Sequence, residues 1–201
     1  MKVLFICTGN TCRSPMAEAL LKHHGTDVEV KSAGIFAGKG QPASQGTVEV
    51  LDEKGIKLEH ASQSVTGELL QWADVILTMT EQHKQSLLMQ HSAHQDRVYT
   101  LKEYVLMDEL EEWEKLKQAY SDLEEKRLTF MNEHHHLQGK ELEKELLDHL
   151  EADIIAIKKM EADLPDLNIS DPFGGNVTIY RKTLQEIENH IELLVKKMDN
   201  R

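Results

Sequence analysis

A chain of 201 residues carrying a formal charge of −12 can bury one full core, or one core and an appendage, and its acidity argues against a nucleic-acid partner. Only two cysteines are present, so there is no disulfide framework, and no apolar run approaches the roughly 20 residues needed to cross a bilayer. The apolar start ends in a polar loop after Ile6, from which no secretory leader is expected.

In chain order, Met1-Lys2-Val3-Leu4-Phe5-Ile6 predicts a first strand over Leu4–Ile6. It runs into the polar string Cys7-Thr8-Gly9-Asn10-Thr11-Cys12-Arg13-Ser14-Pro15, and then into a helical pattern from Pro15 that ends near Gly25. Val28 to Ser32 reads as a second strand, Pro42 to Lys54 as a helix stopped by Gly55, and Thr66 to Trp72 as another helix. Val75–Thr78 is a buried strand, Glu81–Gln90 a helix, and Val98–Leu101 a short fourth strand. A last helix spans Ile179 to Met198, with Leu184, Ile187, Ile191 and Leu194 at helical spacing. This alternation predicts an α/β fold: a three-layer, doubly wound, four-stranded parallel sheet with helices on both faces and a ligand at the strands' C-terminal ends. The Cys7 loop lies at one of those ends.

Residues 106–168 break the pattern, and the core is expected in 1–105 and 169–201. Between 106 and 170 stand 18 acidic and 8 basic residues, which leaves the rest of the chain at only −2. Leu106, Leu110, Trp113, Leu116, Tyr120 and Leu123 recur at spacings of three and four, as do Leu142, Leu146, Leu150, Ile154 and Ile157. An inserted α-helical hairpin turning at Asn132–Gly139 is the expectation; a continuous coiled coil is the alternative, weakened by Gly139. His134, His135 and His136 point to different faces and read as a solvated turn, so no metal is expected. The insert enters just before Asp171. It reads as a protein-docking or oligomerisation surface, a lid, or a tolerated decoration.

The loop holds the chemistry. A strand, a tight polar loop and a helix start are the geometry in which backbone N–H groups turn around an anion. The same field stabilises a thiolate, which makes Cys7 a nucleophile candidate. Arg13 offers a planar fork that binds two phosphate oxygens at once. Gly9 and Asn10 are the residues that most readily adopt a positive φ. Ser14 can cap the helix, with Pro15 at its first position, and can also donate to the Cys7 sulfur.

This string resembles the N-terminal phosphate loop of the low-molecular-weight protein tyrosine phosphatase family. Lys31-Ser32-Ala33-Gly34, Trp72-Ala73-Asp74-Val75-Ile76-Leu77-Thr78-Met79 and Asp171-Pro172-Phe173-Gly174 resemble further family segments. The resemblance implies a cysteine-dependent protein phosphatase with no cofactor, in which Cys7, Arg13 and Asp171 are catalytic. Thr8, Gly9, Asn10, Thr11, Cys12 and Ser14 then bind phosphate, and Phe173 walls the substrate slot. The chemistry of such a reaction has matching work for Asp171, which protonates the leaving group and then deprotonates the water that clears the cysteinyl-phosphate.

Tyrosine-directed members usually carry a larger aliphatic residue where this chain has Thr11. A branch acting on phosphoarginine in proteins resembles it in having threonine there, and also in Thr80–Gln85, Thr100–Val105 and the arginine-free His60-Ala61-Ser62-Gln63. Phosphorylated proteins are thus the expected partners, with phosphoarginine favoured over phosphotyrosine, and a phosphoprotein reader without turnover as a weaker reading. Thioredoxin-coupled arsenate reductases share the loop but need relay cysteines that this chain lacks. Cys12 is either half of a protective disulfide with Cys7 or a small buried apolar residue. A thiol nucleophile also suits a reducing, cytoplasmic compartment.

Overall fold

The computed structural model describes residues 1–25, 27–106, 111–135 and 139–199. Strands β1 (Lys2–Cys7), β2 (Glu29–Gly34), β3 (Val75–Thr78) and β4 (Val98–Thr100) form one sheet in the order β2-β1-β3-β4, with every neighbour parallel. The helices are α1 (Arg13–His23), α2 (Gln45–Asp52), α3 (Gly67–Trp72), α4 (Glu81–Gln90), α5 (Leu101–Leu106), α6 (Glu111–Glu133), α7 (Gly139–Asp163) and α8 (Val177–Asp199).

From Val3 onward β1 is apolar because both of its faces are covered. Alternate side chains go to opposite cores. Val3 and Phe5 pack with Met16, Leu20, Leu51, Leu184 and Ile187 of α1, α2 and α8. Leu4 and Ile6 pack with Leu70, Ile76 and Leu87 of α3, β3 and α4. These four β1 side chains are fully buried, and side chains of this size contribute about 1.5–3 kcal/mol when removed from water. The expected α/β class, four parallel strands and helices on both faces are all present.

The chain divides into two compact units, Met1–Leu106 with Leu167–Arg201, and Met107–Asp166. In the second unit α6 and α7 run antiparallel. The Tyr120 hydroxyl donates to Glu161, Lys126 pairs with Asp153 at 2.6 Å, and the Phe130 ring lies against His134 and His149. Leu116, Phe130, Leu150 and Ile157 are buried. Leu110 of the apolar series and His136 of the histidine run lie outside the described residues.

Several boundaries differ from expectation, each for a local reason. Helix α2 starts at Gln45 rather than Pro42, because Ser44 is extended, caps Thr47 N–H, and donates its own N–H to Thr11 O at 2.9 Å. Leu101 opens helix α5 rather than ending a strand. Thr100 Oγ1 accepts from Glu103 N–H, and Glu103 Oε2 accepts from Thr100 N–H, a reciprocal capping box. Ser92–Arg97 forms a 3-10 turn that the sequence pattern did not suggest, and β2 continues to Gly34 by pairing with Cys7. Helix α8 begins at Val177, two positions before the expected start. Helix α1 begins at Arg13, so Ser14 lies inside its first turn and is no N-cap; Cys12 holds that place with no side-chain cap bond. The Ser14 hydroxyl is engaged instead with Cys7 and Asn10.

Candidate active site

The central strand β1 has β2 on one side and β3 on the other, a topological switch point where parallel α/β sheets open a crevice at the strand ends. Cys7 ends β1. The chain then turns sharply through Asn10, whose φ of 54° is the left-handed conformation that asparagine tolerates better than most residues. Gly9, the other candidate for this role, does not adopt it.

Asn10 is fully buried and tied on all sides. Its Nδ2 donates to Ser14 Oγ at 3.0 Å and Ser32 Oγ at 2.8 Å, and its Oδ1 accepts from Gln63 N–H. Its carbonyl lies 2.7 Å from His60 Nε2. Gly34 is needed beside it: a Cβ there would stand 2.6 Å from Thr8 O and 2.8 Å from Asn10 N. β2 therefore abuts the backbone of the loop directly.

This frame presents Cys7 Sγ with Asn10 N–H at 3.3 Å and Ser14 Oγ at 3.0 Å. Arg13 is buried, 6% exposed, and its guanidinium donates to Asp171 Oδ2 at 2.8 Å and Ile169 O at 3.4 Å. Asp171 is half exposed and also accepts from Phe173 N–H, closing a tight turn. Cys7, Thr8, Gly9, Thr11, Cys12, Arg13, Asp171 and Phe173 line one cleft of about 270 Å³. The Phe173 ring stands at its rim, mostly in solvent. Asn10 and Ser14 lie behind the loop as supports. Cys7 and Cys12 are both free thiols, and Cys12 Sγ contacts Ser44 Oγ at 3.3 Å and the Tyr180 hydroxyl at 3.6 Å.

His83 is a member that sequence reasoning missed. It bridges Thr8 Oγ1 at 2.8 Å and Thr80 Oγ1 at 2.9 Å from below the loop. Burial pushes its imidazole down to about 4, with help from the Arg13 charge and some opposition from Asp171, so it is neutral near pH 7. The available signal was Thr80-x-x-His83, a helix N-terminus that fixes the ring's position. Among the described residues no group of three or more His, Cys, Asp or Glu side chains is arranged to hold a metal, and no helix is long and apolar enough to cross a membrane.

The comparisons with known proteins agree with one another. A family model described as low molecular weight phosphotyrosine protein phosphatase matches residues 2–132. A protein-arginine-phosphatase of Bacillus subtilis (strain 168) is 51% identical over 202 aligned positions, covering 98% of this chain and 97% of that protein. The solved YwlE arginine phosphatase from Geobacillus stearothermophilus superposes with a TM-score of 0.69 at 32% identity, over 99% of this chain and 93% of that one. A further YwlE arginine phosphatase structure, a mutant with a phosphorylated active-site serine in place of cysteine, gives a TM-score of 0.67 at 33% identity, over 99% and 96%.

Proposed function

Because the chain belongs to the low-molecular-weight phosphotyrosine protein phosphatase family, we propose that it hydrolyses phosphoarginine in proteins through a cysteinyl-phosphate intermediate. The observation that carries this is the convergence of Cys7, Arg13 and Asp171 on one cleft with Thr11 in its lining. The relative whose active-site serine, in place of cysteine, is phosphorylated supports the covalent step.

In the first step Cys7 Sγ attacks phosphorus in line with the leaving nitrogen. The S–P bond forms, the P–N bond breaks, and Asp171 gives its proton to the departing guanidine. Arg13 and the loop N–H groups hold the equatorial oxygens, where charge must be neutralised. In the second step the Asp171 carboxylate takes a proton from water, whose oxygen attacks phosphorus. The S–P bond then breaks, releasing phosphate and the thiolate. The Arg13–Asp171 bond of 2.8 Å keeps the acid beside the group that grips the phosphate. Thr8, Gly9 and Cys12 complete the phosphate-binding loop, Ser14 and Asn10 brace it, and Phe173 walls the slot.

Thr11 places a hydroxyl where an aliphatic wall would favour a phenyl ring, which suits a planar, polar guanidinium. A tyrosine phosphatase is the second reading, favoured by the family's own description. Turnover on matched phosphoarginine and phosphotyrosine peptides separates them, with Cys7→Ser as the inactive control. A wild-type preference for phosphotyrosine overturns the first reading.

The same proposal treats residues 106–168 as an addition to a catalytic core formed by 1–105 and 169–201. That addition offers a docking or oligomerisation surface for protein partners. A thiol nucleophile fits a cytoplasmic location.

A further inference from the structure

The segment leading to Asp171 is pinned one residue at a time. Asn168 Oδ1 accepts from Glu81 N–H at 2.9 Å, and Ile169 N–H donates to Met79 O at 2.8 Å. Ser170 is held differently, by one carboxylate. Glu186 Oε2, on α8, accepts both the Ser170 N–H at 3.1 Å and the Ser170 hydroxyl at 2.6 Å. The other oxygen, Oε1, pairs with Lys102 Nζ of α5 at 2.7 Å, and both side chains are at most a quarter exposed. The Ser170 hydroxyl also meets the buried Thr183 at 3.0 Å.

We propose that Glu186 is a positioning residue for the general acid, fixing Ser170 so that Asp171 delivers its proton to the leaving group. This rests on the phosphatase reading given above. Consecutive Cα atoms are about 3.8 Å apart, so a shift of the Ser170 backbone passes almost whole into Asp171. A displacement of about 1 Å at a reacting group can cost 10²-fold in rate. Lys102 anchors the carboxylate from the far side, so Glu186 cannot follow a wandering loop. Burial works to raise the Glu186 carboxyl, but Lys102 and the Ser170 donors outweigh it and hold the group below the usual carboxylate range. Glu186 is thus an acceptor for Ser170 throughout the neutral range.

The test separates positioning of the acid from general stability. Full-length Glu186→Ala is compared with wild type on aryl phosphates whose leaving groups run from phenol, which needs a proton, to 2,4-dinitrophenol, which departs without one. The kcat/KM for phenyl phosphate is expected to fall about 10–100-fold, and that for 2,4-dinitrophenyl phosphate by less than about threefold. Glu188→Ala removes a different α8 ion pair, with Lys54 at 2.7 Å, and is expected to leave both ratios near wild type. Ser170→Ala keeps the backbone link alone; it reads the same pattern at smaller amplitude, even where Glu186→Ala fails to fold. Equal losses on both substrates, the same pattern in Glu188→Ala, or unchanged phenyl phosphate turnover overturn the inference. A wild-type protein that cleaves neither these esters nor a phosphoarginine peptide overturns the phosphatase reading first, and this inference with it.

Discussion

At the residue scale, Thr11 and His83 show how differently two side chains of one site can be read. Thr11 sits in the cleft lining, with its carbonyl bound to Ser44 N–H and to Thr47 Oγ1 of α2, so a substitution there changes the wall without moving the backbone. Thr11→Ile is expected to shift the ratio of kcat/KM values towards phosphotyrosine by about 10-fold or more, the worth of exchanging a hydroxyl for an apolar wall. Competition between the two phosphopeptides measures it. His83 predicts a pH dependence of stability. Its imidazole titrates near 4 in the folded chain and near 6.5 unfolded, so the unfolded chain binds the proton first. Stability therefore rises with pH across that window and is lost as pH falls from 6.5 towards 4, by about 2 kcal/mol after allowance for solvent. Urea unfolding of wild type against His83→Gln is expected to show a shallower slope in the variant over this window. The placing of Cys7 and Arg13 on one cleft was legible because their spacing holds both within one loop. His83 and Glu186 were not, because their partners Thr8 and Ser170 lie 75 and 16 positions away and no pattern links them.

At the scale of elements, short segments set between helical patterns were enough to find all four strands among the described residues; β1 and β3 are mostly apolar, while β2 also carries Glu29, Lys31 and Ser32. The ends were harder, because they depend on contacts with other elements. Ser44 could be read as a cap only once Thr11 O was known to fix the chain before it. The Thr100-x-x-Glu103 box, by contrast, was local and readable in principle, but a strand of three residues running straight into a helix hid it. The meeting of β2 with the loop that follows Cys7 yields a further expectation. In Gly34→Ala the new methyl faces Thr8 O and Asn10 N, backbone atoms that cannot rotate away. The loss is expected to be about 2–4 kcal/mol of stability. In the fraction that folds, kcat should fall together with the displaced Asn10 turn. Thermal unfolding and active-site titration with a thiol reagent measure the two effects separately.

Taken as a whole molecule, the charge is partitioned: the unit 107–166 carries 18 acidic and 8 basic residues, while the remainder is close to neutral. The sheet, both cores and every residue assigned to the cleft belong to the other unit. Excising 108–166 with a short linker is expected to leave aryl phosphate kcat/KM within about threefold, since the remaining unit keeps both apolar cores and the whole cleft. Turnover on phosphorylated proteins, or the oligomeric state by light scattering, is expected to change; if neither does, the docking proposal fails. The cleft itself is assembled from distant stretches of chain. Arg13 meets Asp171 across 158 positions, and Cys12 meets Tyr180 across 168. A ribosome adding roughly 5–20 residues per second therefore emits Cys7 on the order of ten seconds before Asp171. Throughout that interval β1 lacks α8, part of the layer that buries Val3 and Phe5. A nascent chain consequently has no finished cleft until its second half emerges, and its two thiols stand open to solvent before they acquire one.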